Sequence, residues 1–418
     1  MSFYTSSIQT QLLDPRLDQS NKRAEFRLNK DTTYLSNMRL VNIGVKATNG
    51  AYNYAAGSYE CIKKISLLDG NTSLAETPGL EFVRYMAWKN YTKENSSNRA
   101  INHFLSGNGL GYETSGLNSN AQGAPTTIQL RQTFTADSHE PTLSATKEGW
   151  LDLKEALPFL SSVISLDTSI FKNLRLVIEF NSAVGTAQNT TAPLLIADAM
   201  QDESVKSKLK GAFKGAQFIS VEHDRFNLEA VPGVTAGTPN PVQSVTKQIK
   251  GFDNKILTRL VVMKQPNPST TTYVSTGLGS QGSILGFQEK SNLRVNGRTT
   301  LVGDGLDTPT KSLASVVDVF GDCNSFLNQQ ELPLTANGSS LVEPNLVDVL
   351  GQQDYKCFLV GERCEQVEYI NKRTGEYHST DATQDISTSN MPLIIHFFGE
   401  IRKSITVNSD GTYMISYA

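Results

Sequence analysis

Between Leu174 and Asn181 the chain reads Leu-Arg-Leu-Val-Ile-Glu-Phe-Asn. Leu174, Leu176, Ile178 and Phe180 fall on one face, with Arg175, Glu179 and Asn181 on the other, the period of a strand with one buried side. The residues that lead into it, from Gly149, read differently. Trp150-Leu-Asp-Leu153 suits a short strand, and Lys154–Leu160 about two turns of helix. None of these elements can bury its apolar face alone, so a second sheet has to lie over them. No catalytic motif falls in the stretch, which speaks of architecture rather than chemistry.

A chain of 418 residues is too long for one compact core and suits two domains of about 200 residues. Hydrophobic residues are 38% and charged residues 19% of it. Both shares are low; serine, threonine, asparagine and glycine fill the gap, as in chains of many short strands joined by polar loops. A net charge of −3 argues against a binder that works by neutralising nucleic-acid phosphates. The first 22 residues have neither the basic nor the apolar region of a signal peptide. No window approaches the ~18 apolar residues of a membrane span, so synthesis in the cytosol or nucleus is expected. Cys61, Cys323, Cys357 and Cys364 are too few for a disulfide framework in so long a chain, and free or buried thiols are expected.

Taken in order, residues 1–22 read as a polar arm with small apolar patches at Ile8 and Leu12-Leu13. Glu25–Leu28 and Met38–Val45 are expected strands, as is Tyr59–Leu68, which the hairpin signal Asp69-Gly70 closes. Leu80–Trp88 and Asn98–Leu105 read as helices, Gly107–Pro125 as a loop and Ile128–Phe134 as a strand. After the stretch described above come a strand at Pro193–Ala199, a charged helix at Gln201–Phe213 and a strand at Gln217–Glu229. Val231–Thr246 has three prolines and two glycines and reads as a linker. Beyond it the pattern starts again, with strands at Ser244–Lys250, Lys255–Met263 and Ser291–Val295. A turn at Asn296-Gly297 and a helix at Lys311–Phe320 follow. Further strands are expected at Asp354–Val360 and Cys364–Ile370, with a turn at Asn371–Gly375. Leu393–Ile401, Ser404–Val407 and Thr412–Tyr417 close the chain. Asp69-Gly70 and Asn296-Gly297 hold comparable places in two β-rich halves, which suggests an internal duplication.

The motifs that could carry chemistry are weak. Gly277-Leu-Gly-Ser-Gln-Gly282 has dinucleotide spacing but is followed by Ser283-Ile-Leu-Gly-Phe287, too short and glycine-broken for the helix such a site needs. His103, His139, His223, His378 and His396 show no metal-ligand spacing, and no zinc set is present. His396, between Ile395 and Phe397, reads as a sheet-face residue. His223 and Asp224 are neighbours on an expected strand and so point to opposite faces. Cys357 and Cys364 fall in separate expected strands and could pair only if those strands are neighbours. Asn71, Asn90, Asn95, Asn189 and Asn337 head glycosylation triplets that chance explains in a chain without a secretory signal. No catalytic, cofactor-binding or metal residue is assigned, and no cofactor is expected.

The order of these segments carries a resemblance. Ala24-Glu-Phe-Arg-Leu-Asn-Lys-Asp31 with Tyr34–Val45, the strand Tyr59–Gly70, the helix Leu80–Tyr91, Trp150–Phe159 with Asn173–Asn181, and the strand-helix-strand run Pro193–Phe226 are similar to double jelly-roll major capsid proteins. That family serves the large eukaryotic DNA viruses, virophages and Polinton-like elements, and is related in fold to adenovirus hexon. Asn292–Gly297 and the closing Leu393–Tyr417 hairpin are similar too. The interval Gly303–Gly351 has no counterpart in the resemblance, and the chain is short beside the large-virus members.

The resemblance implies an all-β chain with short helical insertions, two consecutive eight-stranded antiparallel jelly-roll sandwiches. It divides the chain into an N-terminal arm at 1–22, a first jelly roll at 23–231, a linker at 232–243 and a second jelly roll at 244–418. It implies a structural protein of an icosahedral double-stranded-DNA virus shell, not an enzyme, whose homotrimers form pseudo-hexameric capsomers located in the virion capsid. Implied partners are the chain itself, neighbouring capsomers, penton and minor or cement proteins and an optional inner membrane, with no specific nucleic acid. Gly107–Pro125 and Pro266–Gly286 would be outward loops, and the arm would reach a neighbouring capsomer or an inner-layer protein. Rival readings are a minor capsid or spike protein of the same fold, and a glycan-binding or glycan-cleaving β-sandwich with Asp152 and Glu155 in its cleft. Only Trp88 and Trp150 are available as tryptophan platforms for a sugar.

Overall fold

The computed structural model describes residues 7–41, 47–48, 51–52, 62–77, 150–180, 193–232, 239, 241–266, 289–303, 305–307, 311, 314–315, 355–374 and 392–417. The helices expected at Leu80–Trp88 and Asn98–Leu105, the strand at Ile128–Phe134, the loop Gly107–Pro125 and nearly all of Pro266–Gly286 and Lys311–Phe320 lie outside these residues. So do Trp88, His103, His139, His378, Cys61, Cys323 and Gly277–Gly282.

The first part of the fold runs β1 (Ile8–Leu13), β2 (Arg16–Leu17), β3 (Arg23–Arg27), β4 (Thr33–Leu35), β5 (Arg39–Val41), β6 (Ala47–Thr48), β7 (Ala51–Tyr52), β8 (Ile62–Asp69) and β9 (Thr72–Glu76). It continues with β10 (Trp150–Asp152), α1 (Leu153–Ala156), α2 (Pro158–Ser162), β11 (Ser165–Asp167), β12 (Leu174–Phe180) and β13 (Leu194–Met200). Strand β12 lies mid-sheet, with Leu176 opposite both Phe26 of β3 and Leu67 of β8. Its alternation buries Leu174, Leu176, Ile178 and Phe180 to 3% exposure or less. The second sheet that this face requires is centred on β13. Strand β1 flanks it on one side and β5 and β4 on the other, with β10 and β11 outside those. Strands β4 and β5 are two lengths of one strand position, and so are β10 and β11, parted by the two short helices.

Counted that way, and with the two-residue β2 set aside as an addition outside β3, one sheet has the chain order first–eighth–third–sixth and the other second–seventh–fourth–fifth, the strand order of a jelly roll. The remaining elements are α3 (Glu203–Phe213), β14 (Gln217–Leu228), β15 (Val242–Gln248), β16 (Lys255–Pro266), β17 (Glu289–Val295), β18 (Arg298–Thr299), β19 (Tyr355–Cys364), β20 (Val367–Thr374), β21 (Leu393–Val407) and β22 (Tyr413–Tyr417). They form sheets β14-β21-β16-β19 and β15-β20-β17-β18, which is the same strand order repeated. Strand β22 is an addition that pairs with the far end of β21.

The duplication therefore reaches the turns. Asp69-Gly70 and Asn296-Gly297 each join the fourth strand to the fifth. Gly70 has φ 59°, and Asn296 and Gly297 have φ 50° and 79°, the left-handed values that two-residue hairpins need and that these residue types accept. Gly399 serves packing instead: a Cβ there would overlap the Phe252 ring and Leu257, so the missing side chain lets the 3-10 turn at Lys250–Phe252 lie on β21.

Five expectations are corrected. Residues 1–22 are not wholly an arm: Ile8–Leu13 pairs with β13 from Ile8 opposite Met200 to Leu13 opposite Leu195, and Arg16–Leu17 pairs with β3. The stretch reads as polar because its inward face carries Gln11, whose side chain accepts hydrogen bonds from Tyr34 Oη (2.8 Å) and Asn29 Nδ2 (3.1 Å). Gln217–Leu228 does not close the first barrel; it pairs from Gln217 opposite Ser404 to Leu228 opposite Leu393 and is the second barrel's first strand. The proline-rich 232–243 segment thus joins the first two strands of that barrel, β14 and β15, rather than the two barrels. The turn expected at Asn371–Gly375 is strand up to Thr374, with Asn371 fully buried. Cys357 and Cys364 lie seven residues apart on one strand, β19, which sets them about 23 Å apart and out of bonding range; both are buried free thiols.

A buried seam as the candidate functional site

The two barrels meet at a seam built by α2, β9, β14 and the β21–β22 hairpin. Among the described residues strand β14 is the edge of its sheet, with ladder partners on one side only. Helix α2 covers that open edge. Pro158 starts the helix, where its missing N–H costs nothing. Ser162 Oγ accepts the Ile219 N–H at 3.0 Å, supplying the partner that an edge amide otherwise lacks. Phe159 meets Phe218 edge-on, with ring centroids 4.8 Å apart.

Beside this contact Phe171 packs edge-on against both Tyr413, at 4.9 Å, and Phe213 at the end of α3, at 6.2 Å. Tyr413 Oη donates to Asp69 Oδ2 at 3.0 Å, while Asp69 Oδ1 accepts the Asn173 N–H at 2.7 Å. Burial, reinforced by the Asp69 charge, pushes the Tyr413 phenol well above its ordinary pKa, so it stays protonated and keeps donating. Phe218, Val221, Val261, Cys357, Phe398 and Ile405 of the second barrel are buried in one continuous apolar cluster with the core of the first. The seam is therefore packed like a domain interior.

Polar residues of the second barrel near the seam are paired. Glu222 takes ion pairs from Lys255 and, at 3.2 Å, from Lys403, and accepts the Tyr417 hydroxyl at 3.2 Å. Both ammonium groups sit 5.0 Å from the Tyr417 ring centroid, within cation–π range. Burial alone would raise the Glu222 pKa, but the Lys255 hydrogen bond and the two lysine charges outweigh it and hold the carboxyl below its ordinary value. Glu400, 2% exposed, is paired with Arg259.

The residues weighed for chemistry separate in space. Asp152 is a helix cap whose carboxylate accepts the Lys154 N–H at 3.0 Å. His223 and Asp224 do point to opposite faces: Asp224 accepts the Gly251 N–H at 3.2 Å. His223 instead reaches His396, with Nε2 to Nδ1 at 3.1 Å and Phe398 stacked at 4.9 Å. That pair spans 173 residues and left no signal in the sequence. Burial pushes the Cys364 thiol up to about 11, far from the thiolate that reactivity requires. Among the described residues no group of three His, Cys, Asp or Glu is placed to hold a metal ion, and no helix is long and apolar enough to cross a membrane.

No family model matches the chain, and no curated protein matches it in sequence. Solved structures do. The mavirus major capsid protein superposes with TM-score 0.51 at 9% identity, covering 100% of this chain and 91% of that one. A chain of the Sputnik virophage gives 0.52 at 9% identity over 98% and 88%, and the Faustovirus major capsid protein 0.50 at 6% over 96% and 90%. The chain has the double jelly-roll fold. The match runs through both barrels and the seam, so the pair of barrels is the unit of similarity. The seam joins the two duplicated sandwiches into one double jelly roll.

Proposed function

We propose that the chain is a major capsid protein whose homotrimers are the pseudo-hexameric capsomers of an icosahedral virus shell, and that its work is self-association rather than catalysis. The observation that carries this is the repeat. Two barrels of identical strand order are held side by side by a buried seam, so each chain supplies two similar lobes. Three such chains around a threefold axis close a ring of six lobes, the heterologous contact returning on itself. End-to-end similarity to two viral major capsid proteins supports the reading. The chain divides, on this reading, into a first barrel up to Met200, a connection through α3 and a second barrel from Gln217. Its further partners are neighbouring capsomers, penton and minor or cement proteins and an optional inner membrane, and it resides in the virion capsid, assembled in the host cytoplasm or nucleus.

The test is the solution mass of the purified protein with negative-stain images of the same peak. A species of three chains showing six-lobed, nearly hexagonal particles is expected. A monomer at all concentrations that also fails to join a shell with its co-expressed virion proteins would overturn the proposal. A minor capsid role would appear as a low copy number in purified particles.

A further inference from the structure

The His223–His396 pair has no part in the capsomer reading, and it sits on the face of the second barrel that packs into the seam. The two rings lie diagonally across the β14–β21 ladder, where His223 is opposite Phe398 and Arg225 opposite His396. They are nearly parallel, 19° apart with centroids at 5.3 Å, and Phe398 stacks on His223. His396 is fully buried and His223 half-buried. Register places Val221, Phe398, Val261 and Cys357 on the same face. All four belong to the apolar cluster that runs into the first barrel. The margin of the face is open, at Arg225 and at Leu359.

We propose that this pair is an acid-sensitive latch on the seam. Its contact joins Nε2 of His223 to Nδ1 of His396 at 3.1 Å, so one nitrogen donates and the other offers a lone pair. The bonded pair can be neutral or carry one extra proton, but not two. An imidazolium donates from both nitrogens, so a second proton sets N–H against N–H and brings two like charges together. Among the described residues, the other ionisable groups on this face are Arg225 of β14, Cys357 of β19, and Glu400 of β21 paired with Arg259 of β16. Burial keeps the Cys357 thiol uncharged. Helix α2, packed on β14, has no ionisable side chain, and Glu76 of β9 is ion-paired with Lys64 at 2.8 Å. Glu222 and Asp224 alternate with His223 and face away, and the turn at Lys250–Phe252 meets β14 on Asp224's side. Acid therefore parts the rings, and a charged His396 reaches water by leaving the face at the Arg225 margin. The residues it displaces are those through which the second barrel packs on the first, so the seam loosens.

In the unfolded chain both imidazoles take protons near pH ~6.5, whereas the folded pair holds at most one. Stability is thus complete above that pH and falls below it. The unfolding equilibrium constant rises about tenfold per pH unit for each proton the folded pair refuses. This window lies above the carboxylate range in which Glu222 acts. Denaturant unfolding of the full chain between pH 7.5 and 5 tests the latch, parent against His223→Gln, whose amide can donate or accept and takes no proton. The remaining histidines are common to both chains, so the difference reads the pair. Between pH 6.5 and 5 the parent should lose about tenfold more in its folding equilibrium than the variant. Its calorimetric transition, single at pH 7.5, should separate into two at pH 5, while the variant's stays single. A second measurement needs no variant to fold: exchange of the imidazole C2 hydrogens of the parent, followed by mass spectrometry. One ring of the two should stay uncharged for as long as the chain is folded. Equal pH slopes, an undivided parent transition at pH 5, or two charged rings in a folded chain would overturn the latch. The pair lies within one chain, so these outcomes leave the capsomer proposal to its own test.

Discussion

At the scale of single residues, the seam depends on a few groups whose partners are far away in the chain. Tyr413→Phe removes the donor to Asp69 and leaves Asn173 as the carboxylate's partner. A loss of about 1–2 kcal/mol in denaturant unfolding is expected, the net worth of one hydrogen bond to a charged acceptor. Gly399→Ala places a methyl where the Phe252 ring lies, and overpacking of this kind costs about 1–3 kcal/mol. Glu222 sets a pH dependence. Its folded-state pKa lies below the unfolded value because the lysines outweigh burial, so its stabilisation is present at neutral pH. That contribution fades as the pH falls through the depressed folded value. Thermal midpoints across the acid range should therefore drop less steeply for Glu222→Gln than for the parent.

At the scale of elements, α2 is the piece whose removal tells most. It is only five residues long and has little stability of its own; it is held by what it packs on. Phe159, 1% exposed against Phe218, anchors it to the second barrel's edge strand. Phe159→Ala should cost about 3–5 kcal/mol and, because the lost contact joins the barrels, should split one calorimetric transition into two. A single transition merely shifted down would mean that the barrels stay coupled through the Phe171–Tyr413 contact. The helix was legible beforehand as about two turns at Lys154–Leu160; its break at Leu157-Pro158 and its role as an edge cover were not, since the strand it covers lies 57 residues on.

At the scale of the whole molecule, the N-terminal segment changes meaning. As an arm it would be dispensable to the fold, and its deletion would block only shell growth. As β1 it is the first strand of a barrel, so deleting residues 1–13 bares the flank of β13 from Leu195 to Met200. Poor solubility or a lower melting midpoint of the first barrel is expected, because an open edge beside an apolar face invites strand pairing. Trimers of normal stability from the truncated chain would return the segment to the role of an arm.

What the sequence determined by itself was local and periodic. The alternation at Leu174–Phe180, the turn residues at Asp69-Gly70 and Asn296-Gly297, and the charged helix expected at Gln201–Phe213 follow from side-chain period and backbone sterics. Those forces act over a few residues, and they sufficed for the all-β class and for the repeat of pattern between the halves. The tertiary structure alone decided strand partnership. Ile8–Leu13 finds β13 almost the whole first barrel away, and Gln217–Leu228 turns from the barrel it follows to one completed at Leu393–Val407. Sheet hydrogen bonds carry no residue code; a strand joins whichever edge can bury its face. The seam belongs to that second kind. Phe159 with Phe218, Tyr413 with Asp69 and His223 with His396 are meetings that only the closed barrels bring about.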